Sequence, residues 1–118
     1  MTDAAGERGE ERLRRIGRNE DLFRKVNDEV ESVNEAFGVV TGDFAVVCEC
    51  GNLSCIEQIR LSKELYERVR SDSTLFVIVP SHKREDAEDI VEGDEDYAIV
   101  RKREGVPAEV ARQLDDRS

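Results

Sequence analysis

The chain of 118 residues has no Trp, one Met, two Pro and a single His, and its aromatic complement stops at four Phe and two Tyr. With so few large apolar side chains and 39% charged residues, it can build one modest core, which excludes a two-domain protein. Long hydrophobic runs are missing too. Nothing approaches the roughly 18 to 20 apolar residues that cross a bilayer, and the opening MTDAAGERGEE lacks the basic-then-apolar layout of a secretion signal. A cytoplasmic protein is expected. Positive charge is also in deficit: 28 acids against 18 bases leave a net charge of −10, which disfavours general binding to phosphate backbones. Arg12, Arg14, Arg15 and Arg18 do cluster, but Glu10, Glu11, Glu20 and Asp21 lie among them, so a nucleic-acid-binding arm is a weak reading. No phosphate-binding glycine loop, nucleophile elbow or dinucleotide fingerprint occurs. The acids between Glu85 and Asp96 lack the regular oxygen-ligand spacing of a calcium loop and read as the solvated face of a helix.

The Pro-free stretch from Arg8 to Phe37 places Ile16, Phe23, Val26, Val30, Val33 and Phe37 at steps of seven, three, four, three and four residues, a helical stripe that predicts one long amphipathic helix. That stripe is either core or a seam shared with a second helix. Gly17 weakens the helix locally, so residues 1–19 are expected to form a flexible or frayed arm, and Gly38 supplies a stop. After the Thr41-Gly42-Asp43 turn, FAVVCEC (44–50) reads as a strand, as do 56–61, 74–79 and 97–101. Ser62 is placed to cap a helix over 63–70. A second short helix from Ser81, with Ala87, Ile90 and Val91 at helical spacing, should end near Gly93. The expected fold is α+β: a long N-terminal helix and a small, mostly antiparallel sheet of about four strands over 20–103. Residues 104–118 form a mobile tail apart from a short helix near 108–114.

Three Cys and one His remain to be explained: Cys48, Cys50, Cys55 and His82. Three thiolates and one imidazole are a standard closed tetrahedral set for Zn2+. Cys48 and Cys50, two apart on a strand, project from one face, and Gly51-Asn52 lets the chain fold back so that Cys55 reaches the same ion. His82 closes the site from the turn after the 74–79 strand, which requires the end of that strand to approach the end of the first. The competing explanations fare worse. An odd number of thiols cannot form a complete disulfide framework, and three thiols within eight residues are hard to explain by packing. A catalytic Cys-His pair gains nothing from two neighbouring thiols. Asp43, Glu49 and Asp86 are the rival oxygen ligands should His82 be elsewhere, with Glu49 the weakest because it points to the opposite strand face. A closed shell leaves no coordination position for substrate, which argues against an enzyme.

Taken together, FRKVNDEVESVNEAF, CECGNLSC, LSKELYERVR, PSH and YAIV resemble a group of small uncharacterised bacterial proteins, actinobacterial in type, that share this order of motifs over about residues 20–102. The resemblance implies that Cys48, Cys50, Cys55 and His82 act as one unit, and it implies no activity. The sequence therefore points to a non-enzymatic, zinc-stabilised protein-interaction or regulatory module. Its partner would be another protein or a second copy, met through the N-terminal helix. The alternative is a thiol redox sensor that releases zinc on oxidation.

Overall fold

The computed structural model describes residues 4–36 and 43–117. Phe37, Gly38 and the Thr41-Gly42 part of the turn, to which the sequence assigns the end of the first helix, lie outside the described residues. In chain order the elements are α1 (Ala4–Ala36), β1 (Asp43–Val47), β2 (Gln58–Ser62), α2 (Lys63–Arg70), β3 (Leu75–Ile78), β4 (Glu88–Gly93), β5 (Ala98–Lys102) and α3 (Val106–Leu114), with a single 3-10 turn, Pro80–His82, after β3. The architecture is α+β.

The strands form two antiparallel sheets rather than one. β1 pairs with β2, setting Val46 against Ile59 and Phe44 against Leu61, while β5 lies between β3 and β4. Both sheets feed one core in which Val46, Ile59 and Leu61 meet Phe76, Ile78 and Val100 around the buried Tyr66. Every residue of β3 is buried, as its unbroken apolar run requires. α2 begins where Ser62 Oγ accepts a hydrogen bond from the Leu65 amide, the cap expected from the sequence.

Two elements differ from the sequence reading. Residues 88–93 form a strand, not a helix. Ile90 and Val91 are β-branched, and pairing with β5 sets Glu88 directly opposite Lys102, an ion pair that no local helix offers. The neighbouring acids lie on a sheet edge, where Asp89 pairs with Arg103 and Glu92 with Arg68. Toward the C-terminus, the short helix expected near 108–114 is present as α3, but it packs on α1 rather than standing in a mobile tail. The crossing is tight: a Cβ at Gly17 would lie 2.6 Å from Val110 Cγ1, so the glycine read as a weakness of the helix is where α3 crosses it. α1 is continuous through this point, and Ile16 is buried within the stretch assigned to an arm.

The largest departure is in α1 itself. Ile16, Gly17, Glu20, Asp21, Arg24, Asn27 and Glu31 are its buried residues, at helical spacing along one face, whereas Leu22, Val26 and Val33 are 53%, 40% and 52% exposed. The helix docks mainly through its polar face: of the described stripe residues Ile16 is buried, Phe23 and Val30 are half-buried, and Val26 and Val33 are exposed. Each buried charge meets a partner. Lys102 Nζ lies between Glu20 and Glu88. Arg24 donates to Asp21 at 2.8 Å, to the Ser73 carbonyl at 2.7 Å and to the Ala111 carbonyl at 3.0 Å, with its guanidinium 4.6 Å above the Phe76 ring. Arg70 forks onto both Asp28 and Asp115, and the Tyr66 hydroxyl donates to Asp28 at 2.6 Å.

Breaking such a pair strands a charge in the dry interior at about 3 to 5 kcal/mol, whereas an exposed pair is worth about 1 kcal/mol or less. Arg70→Met should therefore lower the urea unfolding free energy by about 3 to 5 kcal/mol, and Arg101→Met, which removes only the exposed pair with Asp72, by under about 1 kcal/mol. Equal costs would contradict the network.

Glu20 gives a pH test. Burial raises its pKa from the usual 4.5 to about 8, although Lys102 opposes the shift. The folded chain therefore keeps a proton that the unfolded chain releases above 4.5, so this group's contribution to stability falls as pH rises from 4.5 toward 8. Glu20→Gln should be more stable relative to the unmodified chain at the upper end of that window than at the lower, measured by urea midpoints. A constant difference would remove Glu20 as the cause.

Candidate metal centre

β1 ends at Val47, three residues before the Cys50 end expected from the sequence, and the chain then changes neighbours. The Cys48 amide still donates to the Glu57 carbonyl at 3.0 Å, extending the β1–β2 ladder by one bond. The next amide, that of Glu49, donates instead to the Val77 carbonyl of β3 at 2.9 Å. This crossing brings the end of the first strand to the end of the third, as ligation by His82 requires. At that meeting the Val79 amide donates to Cys48 Sγ at 3.2 Å.

Alternation along 48–50 sends the side chains to two destinations. Glu49, fully buried, points away from its neighbours: Oε1 accepts from the Val77 amide at 3.1 Å and Oε2 from Asn27 Nδ2 at 2.8 Å. Burial pushes its carboxyl up to about 7 against the opposing hydrogen bonds from Asn27 and Val77, and it has no part in the cysteine cluster. Cys48 and Cys50 face the other way, both buried, with Cys55 and His82 half-buried at the rim.

The turn that returns Cys55 is built by Gly51 and Asn52. Gly51 has φ +81, and a Cβ there would lie 2.8 Å from Glu20 Cγ and 3.2 Å from the Ile16 carbonyl, so only glycine lets the loop press against α1. Asn19 of α1 donates to the Gly51 carbonyl at 3.2 Å. Asn52 then accepts twice: its side chain from the Ser54 amide at 2.9 Å and its carbonyl from the Cys55 amide at 2.9 Å. His82 comes from the 3-10 turn that Pro80 starts, closed by its own amide donating to the Val79 carbonyl at 2.8 Å. Arg84 Nε, two residues on, holds the Cys50 carbonyl at 3.0 Å, tying the two ligand loops together.

The ligand atoms of Cys48, Cys50, Cys55 and His82 all lie within 4.8 Å of one another, and His82 Nδ1 is 3.5 Å from Cys48 Sγ and 3.6 Å from Cys55 Sγ. An imidazole nitrogen at about 2.0 Å and a thiolate at about 2.3 Å from one tetrahedral ion stand about 3.5 Å apart. The four donors fit a metal ion in both type and spacing. The hydrogen bond between Cys48 and Cys50 pushes the Cys48 thiol up and brings Cys50 well below the ordinary thiol range.

Of the rival oxygen ligands, Glu49 is turned away, Asp86 is held by Arg12 at 2.6 Å, and Asp43 opens β1 at the end opposite Cys48. A cavity of about 300 Å³ adjoins the centre on its outer side, lined by Arg12, Cys50, Asn52, His82, Lys83 and Arg84. The sequence did not point to Asn19, Asn27 or Arg84 as supports of the site. Only Gly51, between a cysteine and an asparagine, carried a local signal.

Comparison with protein-family models, with curated proteins and with solved structures finds no match to this chain. The functional reading therefore rests on the geometry.

Cys50→Ser should abolish tight metal binding and cost several kcal/mol of folding free energy, because metal-binding energy in such a site is folding energy. Metal analysis of the purified variant beside its melting curve checks this. Full metal content with unchanged melting would show that the cluster is not a ligand set.

Proposed function

We propose that the protein is a non-enzymatic, zinc-stabilised interaction or regulatory module of the cytoplasm, in which Cys48, Cys50, Cys55 and His82 hold one structural Zn2+ and α1 offers its outer face to another protein. The observation that carries this reading is the set of four protein donors within 4.8 Å of one another, with His82 Nδ1 3.5 Å and 3.6 Å from two of the sulfurs; four such ligands would fill the shell of a zinc ion and leave no position for water or substrate. When bound, the ion supplies cross-linking: it ties the Cys48–Cys55 loop to the His82 turn. The same loop carries α1 through Gly51 and Asn19, so the metal also fixes the helix whose apolar stripe faces outward. No helix among the described residues is long and apolar enough to cross a membrane, which supports a location in solution.

A redox sensor is the second reading, favoured by one feature: Cys55 sits half-buried at the rim, where an oxidant reaches it before the buried Cys48 and Cys50. Peroxide would accept two electrons from two of the thiolates, forming one disulfide and releasing the ion as peroxide is reduced to water. Native mass spectrometry of protein purified without added metal should show one zinc per chain, retained under mild peroxide. Protein free of metal would overturn both readings, and rapid zinc release restored by reductant would put the sensor first.

A further inference from the structure

Resting on the reading of α1 as the docking element, we infer that its occupant is a second copy of this chain, with the two α1 helices packed antiparallel about the level of Arg24. The face of α1 directly opposite its buried residues carries Arg15, Arg18, Leu22, Val26, Glu29 and Val33, at steps of three, four, four, three and four, and all six are exposed. Leu22, Val26 and Val33 are among the large apolar side chains left open to solvent, with Phe23 and Val30 half-buried along one border. Arg15, Arg18 and Glu29 form no ion pair among the described residues.

The order of this stripe says what fits it. Laid antiparallel on itself about Arg24, it sets Leu22 level with Val26 of the second copy, Arg18 within one residue of Glu29, and Arg15 level with Val33. Each contact occurs twice by symmetry. The stripe spans about 27 Å at 1.5 Å per residue. Leu22 and Val26 would form a central apolar patch, flanked on each side by an arginine meeting a glutamate. The aliphatic stem of Arg15 would cover Val33. Parallel packing would instead place Arg15 on Arg15, Arg18 on Arg18 and Glu29 on Glu29, all like charges.

Sedimentation velocity of the full, metal-loaded chain over a concentration series tests this. The unmodified chain should show a reversible dimer, and Val26→Asp should weaken it at least about tenfold, since a carboxylate would enter the apolar centre. Arg18→Glu and Glu29→Arg should each weaken it, and the double variant Arg18→Glu/Glu29→Arg should recover most of the loss, because only antiparallel packing re-forms the pair with its signs exchanged. Metal content and helical circular dichroism on the same samples verify folding. A metal-loaded monomer at up to about 1 mM, or single losses without rescue, overturns the self-pairing while leaving the metal-held module intact. Metal-free protein counts against that underlying reading instead.

Discussion

β3 is buried on both faces and pairs with β5 on one edge only, so the amides and carbonyls of its other edge must be satisfied by something else. The segment Cys48–Glu49 does this, and much of the molecule follows from how it does so. The Glu49 amide bonds the Val77 carbonyl, the Glu49 carboxyl takes the Val77 amide, and Cys48 sulfur takes the Val79 amide. One short crossing thereby joins the two sheets. The alternation of its side chains sends Glu49 to α1 and the two cysteines to the metal centre. Asn27 completes the arrangement by donating to both Glu49 and the Val47 carbonyl while accepting from the Val47 amide at 2.8 Å. The inward, polar orientation of α1 is thus tied to the same residues that place the cysteines.

A helix docked by charges rather than by oil is a costly solution, since each ion loses its water, and it holds only when every partner is present. Here the partners come from every quarter of the chain: Glu88 and Lys102 from β4 and β5, Arg70 from α2, and Asp115 and Arg117 from the segment after α3. The arrangement fixes the rotation of α1 about its axis, because a turn of one residue would separate Glu20 from Lys102 and Arg24 from Asp115 together. It also leaves Leu22, Val26 and Val33 outward, the observation on which the proposed interaction role rests.

The features legible in the sequence are those whose physics is local. Ser62 caps α2 through an amide three residues away, TLFVIV can only be a buried strand, and three cysteines with one histidine have few other uses than a shared ion. Burial of α1 was not legible. Glu20, Arg24 and Asn27 carry no local signal of burial, and their partners stand 82, 87 and 22 residues away at Lys102, Ala111 and Glu49. The same holds for β4: Ala87, Ile90 and Val91 have helical spacing, and only the pairing of Glu88 with Lys102 across the β4–β5 hairpin reverses that reading. Gly17 likewise looked like a defect until α3 was seen to cross there.

The central claim is that Cys48, Cys50, Cys55 and His82 form one tetrahedral metal shell, with zinc as the proposed occupant. X-ray absorption at the zinc edge, on protein purified without added metal, reads that shell directly. The account requires three sulfur neighbours at about 2.3 Å and one nitrogen at about 2.0 Å, with no further light-atom ligand. A shell with fewer sulfurs, or with water or carboxylate oxygen in place of the imidazole, would contradict it.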